Sequence, residues 1–259
     1  MKPIGLSELK CIQLDILRNV SEYCEAKNIR YFIIYGTLIG AIRHKGYIPW
    51  DDDIDIAMPR PDYEKFIAGY SHDFYKTTDN YKDAKYGLAS AKVHDSRTII
   101  KMDLYNIGDF GVFIDVFPID GFASKWQIKA AQILQKIIKV KKVKINFTHG
   151  VIKNLVSIWG KALLVPFSLR TLISLFDKIS KMRNFESSDL CDCFSSEDVE
   201  KEVFPRLYFE KYEYATFEGE KFRIPAEYDR YLRQIYGDYM QLPPEDKRVA
   251  HHGMKAFWR

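Results

Sequence analysis

Apolar residues at Leu9, Ile12, Ile16, Leu17, Val20, Tyr23 and Cys24 recur three or four positions apart. That spacing predicts an amphipathic helix over 6–27, with Ser7 as N-cap and Asn28 as stop. The pattern then becomes an apolar run, Tyr31 to Tyr35, read as a strand, and returns to helical spacing from Thr37 to His44. Asp53-Ile54-Asp55-Ile56 alternates with a period of two, so a second strand is expected over Asp53 to Met58. Pro61 suits the first turn of a helix over Tyr63 to Tyr70. Residues 71–85 read as loop, and strands over Gly87 to His94 and Thr98 to Met102 flank Asp95-Ser96 like a hairpin. Gly111 to Phe117 is a further strand. Helical periodicity resumes over Lys125 to Ile145 and over Val151 to Ile179, interrupted at Pro166. Short strands around Glu218-Gly219 and a helix over Tyr228 to Gly237 close the pattern. This mixed order predicts an α+β fold: a core over 1–123, a helical insertion over 124–185, and 186–259 completing the core.

The alternating acids carry the chemistry. On a strand, residues i and i+2 share a face about 7 Å apart, which turns Asp53 and Asp55 into one site while Ile54 and Ile56 enter the core. Two carboxylates so placed repel unless a cation sits between them. A hard divalent ion suits oxygen donors and keeps positions open for phosphate, which points to magnesium, with manganese as its substitute. Asp115, inside its own strand, is the third acid such a site needs; Asp120, past Pro118, reads as structural. Asp51, at the head of the acidic run, is assigned to substrate. Upstream, Gly36-Thr37 ends a strand and opens a helix, a place where backbone N–H groups meet phosphate. Arg43 is the cation chosen for phosphate, because a guanidinium binds it bidentately. His44 and Lys45 read as an exposed helix end.

Composition narrows the class. Of 259 residues, 47% are hydrophobic and 29% charged, ordinary for a globular protein. The four cysteines form no disulfide framework, and Met1 to Gly5 leads into no apolar signal segment, so a cytoplasmic location is expected. Charge is unevenly spread. Residues 124–185 hold thirteen Lys or Arg against one acid, net +12, and the remainder is −8. Such a block is a surface for anionic lipid or a polyanionic glycan, at the inner face of a membrane, or else a solvated helical face. No nucleic-acid module accompanies it. Lys153, Lys161, Arg170 and Pro166 argue against a span. Cys191 and Cys193 lack the second pair that a zinc site needs.

The string YGTLIGAIRHKGYIPWDDDIDIAMPRPDYEKF, with GVFIDVFPIDG at 111–121 and FEGEKFRIPAEYDRYLRQIYGDYMQLPPEDKR near the C-terminus, resembles the LicD family of bacterial phosphocholine transferases, relatives of fukutin. The resemblance weakens between about Ser124 and Lys201. It implies a nucleotidyltransferase-like mixed sheet flanked by helices. It also implies transfer of a phospho-alcohol from a CDP-linked donor to a glycan, lipid-linked or not, with attack at the β-phosphorus rather than the α-phosphorus. By the same resemblance Asp53, Asp55 and Asp115 hold metal and supply the proton acceptor, Lys92 meets donor phosphate, and His251 or His252 approaches the site. CDP-choline, CDP-glycerol and CDP-ribitol all fit as donors. A metal-dependent glycosyltransferase shares the acid-x-acid pair but does not need Gly36-Thr37. A calcium loop fails at Ile56, where it requires glycine.

Overall fold

The computed structural model describes residues 1–79, 90–101, 110–142, 168–196, 199–248 and 255–259. After β1 (Pro3–Ile4), the first periodic stretch forms α1 (Leu6–Ala26), which buries Leu9, Ile12, Ile16, Leu17, Val20 and Cys24. Full burial of each such aliphatic side chain contributes about 1.5–3 kcal/mol. Gly5, not Ser7, occupies the N-cap, so Ser7 lies in the first turn. Asn28 is the expected stop, with φ of 52°.

β2 (Phe32–Ile33) is shorter than the apolar run because Tyr35 turns left-handed, φ 49°, and begins α2 (Tyr35–Ile39). This helix continues as a π-helical turn over Gly40–His44. β3 (Asp55–Pro59) starts two residues later than the alternation implied, and α3 (Arg60–Gly69) carries Pro61 in its first turn. β4 (Tyr75–Thr78) occupies part of the expected loop. β5 (Ala91–Asp95) and β6 (Thr98–Lys101) are both present, yet they do not form a hairpin. Both edges of β5 are taken, by β4 and by β7 (Phe113–Gly121), so β6 pairs instead with the C-terminal strand Lys255–Trp258. The Thr98 hydroxyl holds this crossing, donating to Asp95 O and accepting from Val112 N–H.

The principal sheet runs β2-β3-β7-β5-β4, with β3 and β7 parallel and the other neighbours antiparallel. α1 lies against β7 and β5. A second, smaller core forms between α4 (Lys125–Lys142) and α5 (Leu169–Ser180), where Ile128, Ala131, Leu134 and Ile138 meet Leu172, Ile173 and Phe176. Asp120 lies in β7 rather than in a loop: Arg60 donates to both its oxygens at 2.6 Å and to Asp177 of α5 at 3.1 Å. β8 (Leu190–Asp192) pairs with the end of β7, and β9 (Phe204–Pro205) pairs with β8. β10 (Tyr212–Phe217) and β11 (Glu220–Pro225) form a hairpin whose turn, Glu218-Gly219, has φ of 50° and 82°. α6 (Tyr228–Tyr236) stops at Gly237, φ 68°. The architecture is α+β. No helix among the described residues is long and apolar enough to cross a membrane. The expected strand start at 87–89 and the helical stretch over 151–167, with Pro166, lie outside the described residues, as do His251 and His252.

Candidate active site

Strand register brings the chemistry together. Asp55 of β3 stands opposite Asp115 of β7, and Asp115 stands opposite Lys92 of β5. Register partners on adjacent strands share a face, so two acids and a lysine form one row across three strands. Lys92, only 5% exposed, donates to both Asp115 oxygens at 2.5 and 2.7 Å, and its ammonium lies 3.5 Å from the centre of the Phe113 ring. Asp53 reaches the row from the loop before β3 rather than from the strand. It stands in a group with Asp51 and Asp52 in which one carboxylate oxygen of each lies within 4.8 Å of the others. Burial pushes the Asp55 carboxyl well above the usual range, and repulsion from Asp53, Asp115 and Asp51 adds to it, with Lys92 opposing. The donors are all carboxylate oxygens that repel one another, with the Lys92 ammonium offsetting part of that repulsion. That set suits a hard divalent cation, and Asp51, Asp52 and Asp53 are the described residues whose carboxylates stand close enough together to hold one, beside Asp55.

The residues upstream shape these acids. A Cβ at Gly36 would meet Asp51 Oδ2 at 2.6 Å, so the missing side chain makes room for an acid at the place the sequence assigned to phosphate. Thr37 is buried, and its hydroxyl accepts from Asp55 N–H at 2.9 Å, fixing the start of β3. Arg43 is held by the Tyr239 and Gln241 carbonyls at 2.5 and 3.3 Å and by His44 Nε2 at 2.9 Å. No carboxylate among the described residues pairs with it, which leaves its charge for an anion.

Three neighbours escaped sequence reasoning. Gln13 donates to Asp52 O at 3.0 Å and to Phe113 O at 3.2 Å, stitching the acidic loop to β7. The available signal was a polar residue on the buried stripe of α1. Tyr236 is exposed as a residue, yet desolvation at its phenol end, and then the charges of Asp55, Glu202, Asp51 and Asp53, raise that phenol above the usual range. Lys142, buried at the end of α4, is pushed down to about 7 by burial and then by Lys92. Only the fold brings Tyr236 near the acids and Lys142 near Lys92.

Comparison with known proteins identifies relatives of the chain. Residues 28–166 match the model described as LicD/FKTN/FKRP, nucleotidyltransferase domain. The chain is 33% identical over 277 aligned positions, 99% of each protein, to the lipopolysaccharide cholinephosphotransferase LicD of Haemophilus influenzae. Shorter matches of 63 residues, 24% of this chain, occur with uncharacterized proteins of Rickettsia typhi, 41% identical over 20% of its length, and Rickettsia prowazekii, 40% identical over 24%. Full-length similarity and a domain match that contains the whole Asp55–Asp115–Lys92 row together mean that the chain belongs to the LicD family.

Proposed function

We propose that the protein transfers phosphocholine from CDP-choline to a hydroxyl of a cell-surface glycan or its lipid-linked precursor, with magnesium, releasing CMP. The observation that most supports this reading is the row Asp55–Asp115–Lys92 beside Asp51 and Asp53, in a chain similar throughout to a lipopolysaccharide cholinephosphotransferase. Asp51, Asp53 and Asp55 would hold magnesium, which when bound withdraws charge from the donor's phosphates. Asp115, aimed by Lys92, accepts the proton of the acceptor hydroxyl. That oxygen bonds to the β-phosphorus, the bond from this phosphorus to the bridging oxygen breaks, and its electron pair leaves with CMP. Lys92 and Arg43 are the cations offered to the phosphates. Gly36 and Thr37 serve by placing Asp51 and Asp55.

The test is CMP release and choline incorporation into a lipopolysaccharide acceptor, from CDP-choline with magnesium. CDP-glycerol, CDP-ribitol and UDP-sugars serve as rival donors. Asp55→Asn and Asp115→Asn should each lower turnover by about 100-fold or more. Turnover of a UDP-sugar with none of CDP-choline would overturn the proposal, as would either variant at near-normal rate.

A further inference from the structure

α4 has two apolar faces, and among the described residues only one of them is covered. Its inner face, Ile128, Ala131, Leu134 and Ile138, packs on α5. Diametrically opposite, Trp126, Lys129, Ile133, Lys136 and Val140 follow one another at intervals of three and four. At 100° per residue they fill a sector of about 80°, some 21 Å long. All five are exposed, with Trp126 and Ile133 each at 58% and Val140 at 38%. Lys129 and Lys136 make no ion pair among the described residues, and the helix contains no acid at all.

We infer that this outer face of α4 docks onto an anionic lipid surface. Large apolar side chains alternating with lysines allow Trp126, Ile133 and Val140 to enter the acyl boundary while the lysine stems reach outward to the head groups. Charge selects the occupant. A second copy would bring Lys129 and Lys136 against the same two lysines with no acid on either helix to compensate, whereas anionic head groups neutralise both. The two Asp- and Glu-free turns on each side of Ile133 fit a negative plane better than a mixed protein surface. The inference concerns where the protein sits and stands independently of the transfer chemistry.

Vesicle co-sedimentation of the full chain tests it, with phosphatidylcholine alone against phosphatidylcholine carrying about 30% phosphatidylglycerol. Binding should require the anionic lipid. Reversing both lysines, Lys129→Glu with Lys136→Glu, should weaken it by about 30-fold or more, from roughly fivefold for each positive charge lost. Trp126→Ser with Ile133→Ser should weaken it comparably while the melting temperature stays unchanged or rises, because neither side chain is in the core. Trp126 emission should shift to the blue on binding, a change absent from Trp126→Phe. Equal binding to both vesicle types overturns the inference, as does wild-type binding retained by both double variants. A concentration-dependent dimer that the Trp126→Ser, Ile133→Ser variant abolishes would also overturn it, by assigning the face to a second copy.

Discussion

Gly36→Ala separates the placing of the acids from the stability of the fold. A Cβ at this position lies 2.6 Å from Asp51 Oδ2, against about 3.5 Å for an ordinary contact, so one of the two must yield by about 0.9 Å. The backbone of α2 is fixed at Asp55 by Thr37, whereas the carboxylate is the far end of a side chain, so Asp51 swings away. Alanine itself favours the helix over glycine by about 1 kcal/mol. The fold therefore stays within about 1 kcal/mol of wild type, while the site loses one of its carboxylates. Losing a partner one shell further out already costs about 10–100-fold in metal affinity, so displacing Asp51 should cost at least about 1.4–2.7 kcal/mol of cation binding. Isothermal titration with manganese, beside urea denaturation without metal, measures both quantities. In an Asp51→Ala background the glycine substitution should have no further effect on cation binding, since the clash is gone. Unchanged manganese affinity in Gly36→Ala, or a full effect persisting without Asp51, would refute the reasoning.

Three further outcomes are expected. Asp55 holds its proton more tightly folded than unfolded, so its contribution to stability is present at acid pH and is lost as pH rises from about 4 through the raised folded value; Asp55→Asn should therefore melt higher than wild type at pH 7 in EDTA, with the gap closing toward pH 4, and a lower melting point at pH 7 would contradict this. Lys142, pushed down to about 7 in the fold, binds its proton less readily than in the unfolded chain, so stability should rise between about pH 7 and 10.5. Lys142→Met should flatten that rise and gain on the order of a few kcal/mol near pH 6, read by denaturation at each pH. Thr37→Val leaves the Asp55 N–H without its acceptor, at about 1–3 kcal/mol, and should lower kcat more than it raises donor KM; Thr37→Ser should restore both.

What was legible in the sequence depended on how local the determinant was. The period-two alternation marked the first strand of the site, and Asp115 was visible as an acid among β-branched residues, because side-chain alternation is a property of a few consecutive residues. Asp53 was placed on the strand because the alternation begins two residues before the hydrogen-bonded ladder does. Pairing partners are a different matter: β5 and β6 have the spacing of a hairpin, and only competition from β4 and β7 for the edges of β5 sends β6 to another sheet. Lys92 was reached through family likeness, but its bond to Asp115 follows from register across 23 residues of chain. Gly36 was singled out for donor phosphate; what the fold shows at that position is the Asp51 carboxylate in the space a side chain would fill.

Arg60 grips Asp120 on the strand that bears Asp115 and, with the same guanidinium, Asp177 on the helix that backs α4. One planar cation thus rivets the helical pair to the sheet, and with both partners largely shielded from water the joint resists shear. The outer face of that pair is thereby tied to the strand that carries Asp115, so a push on the helices reaches the site through one joint.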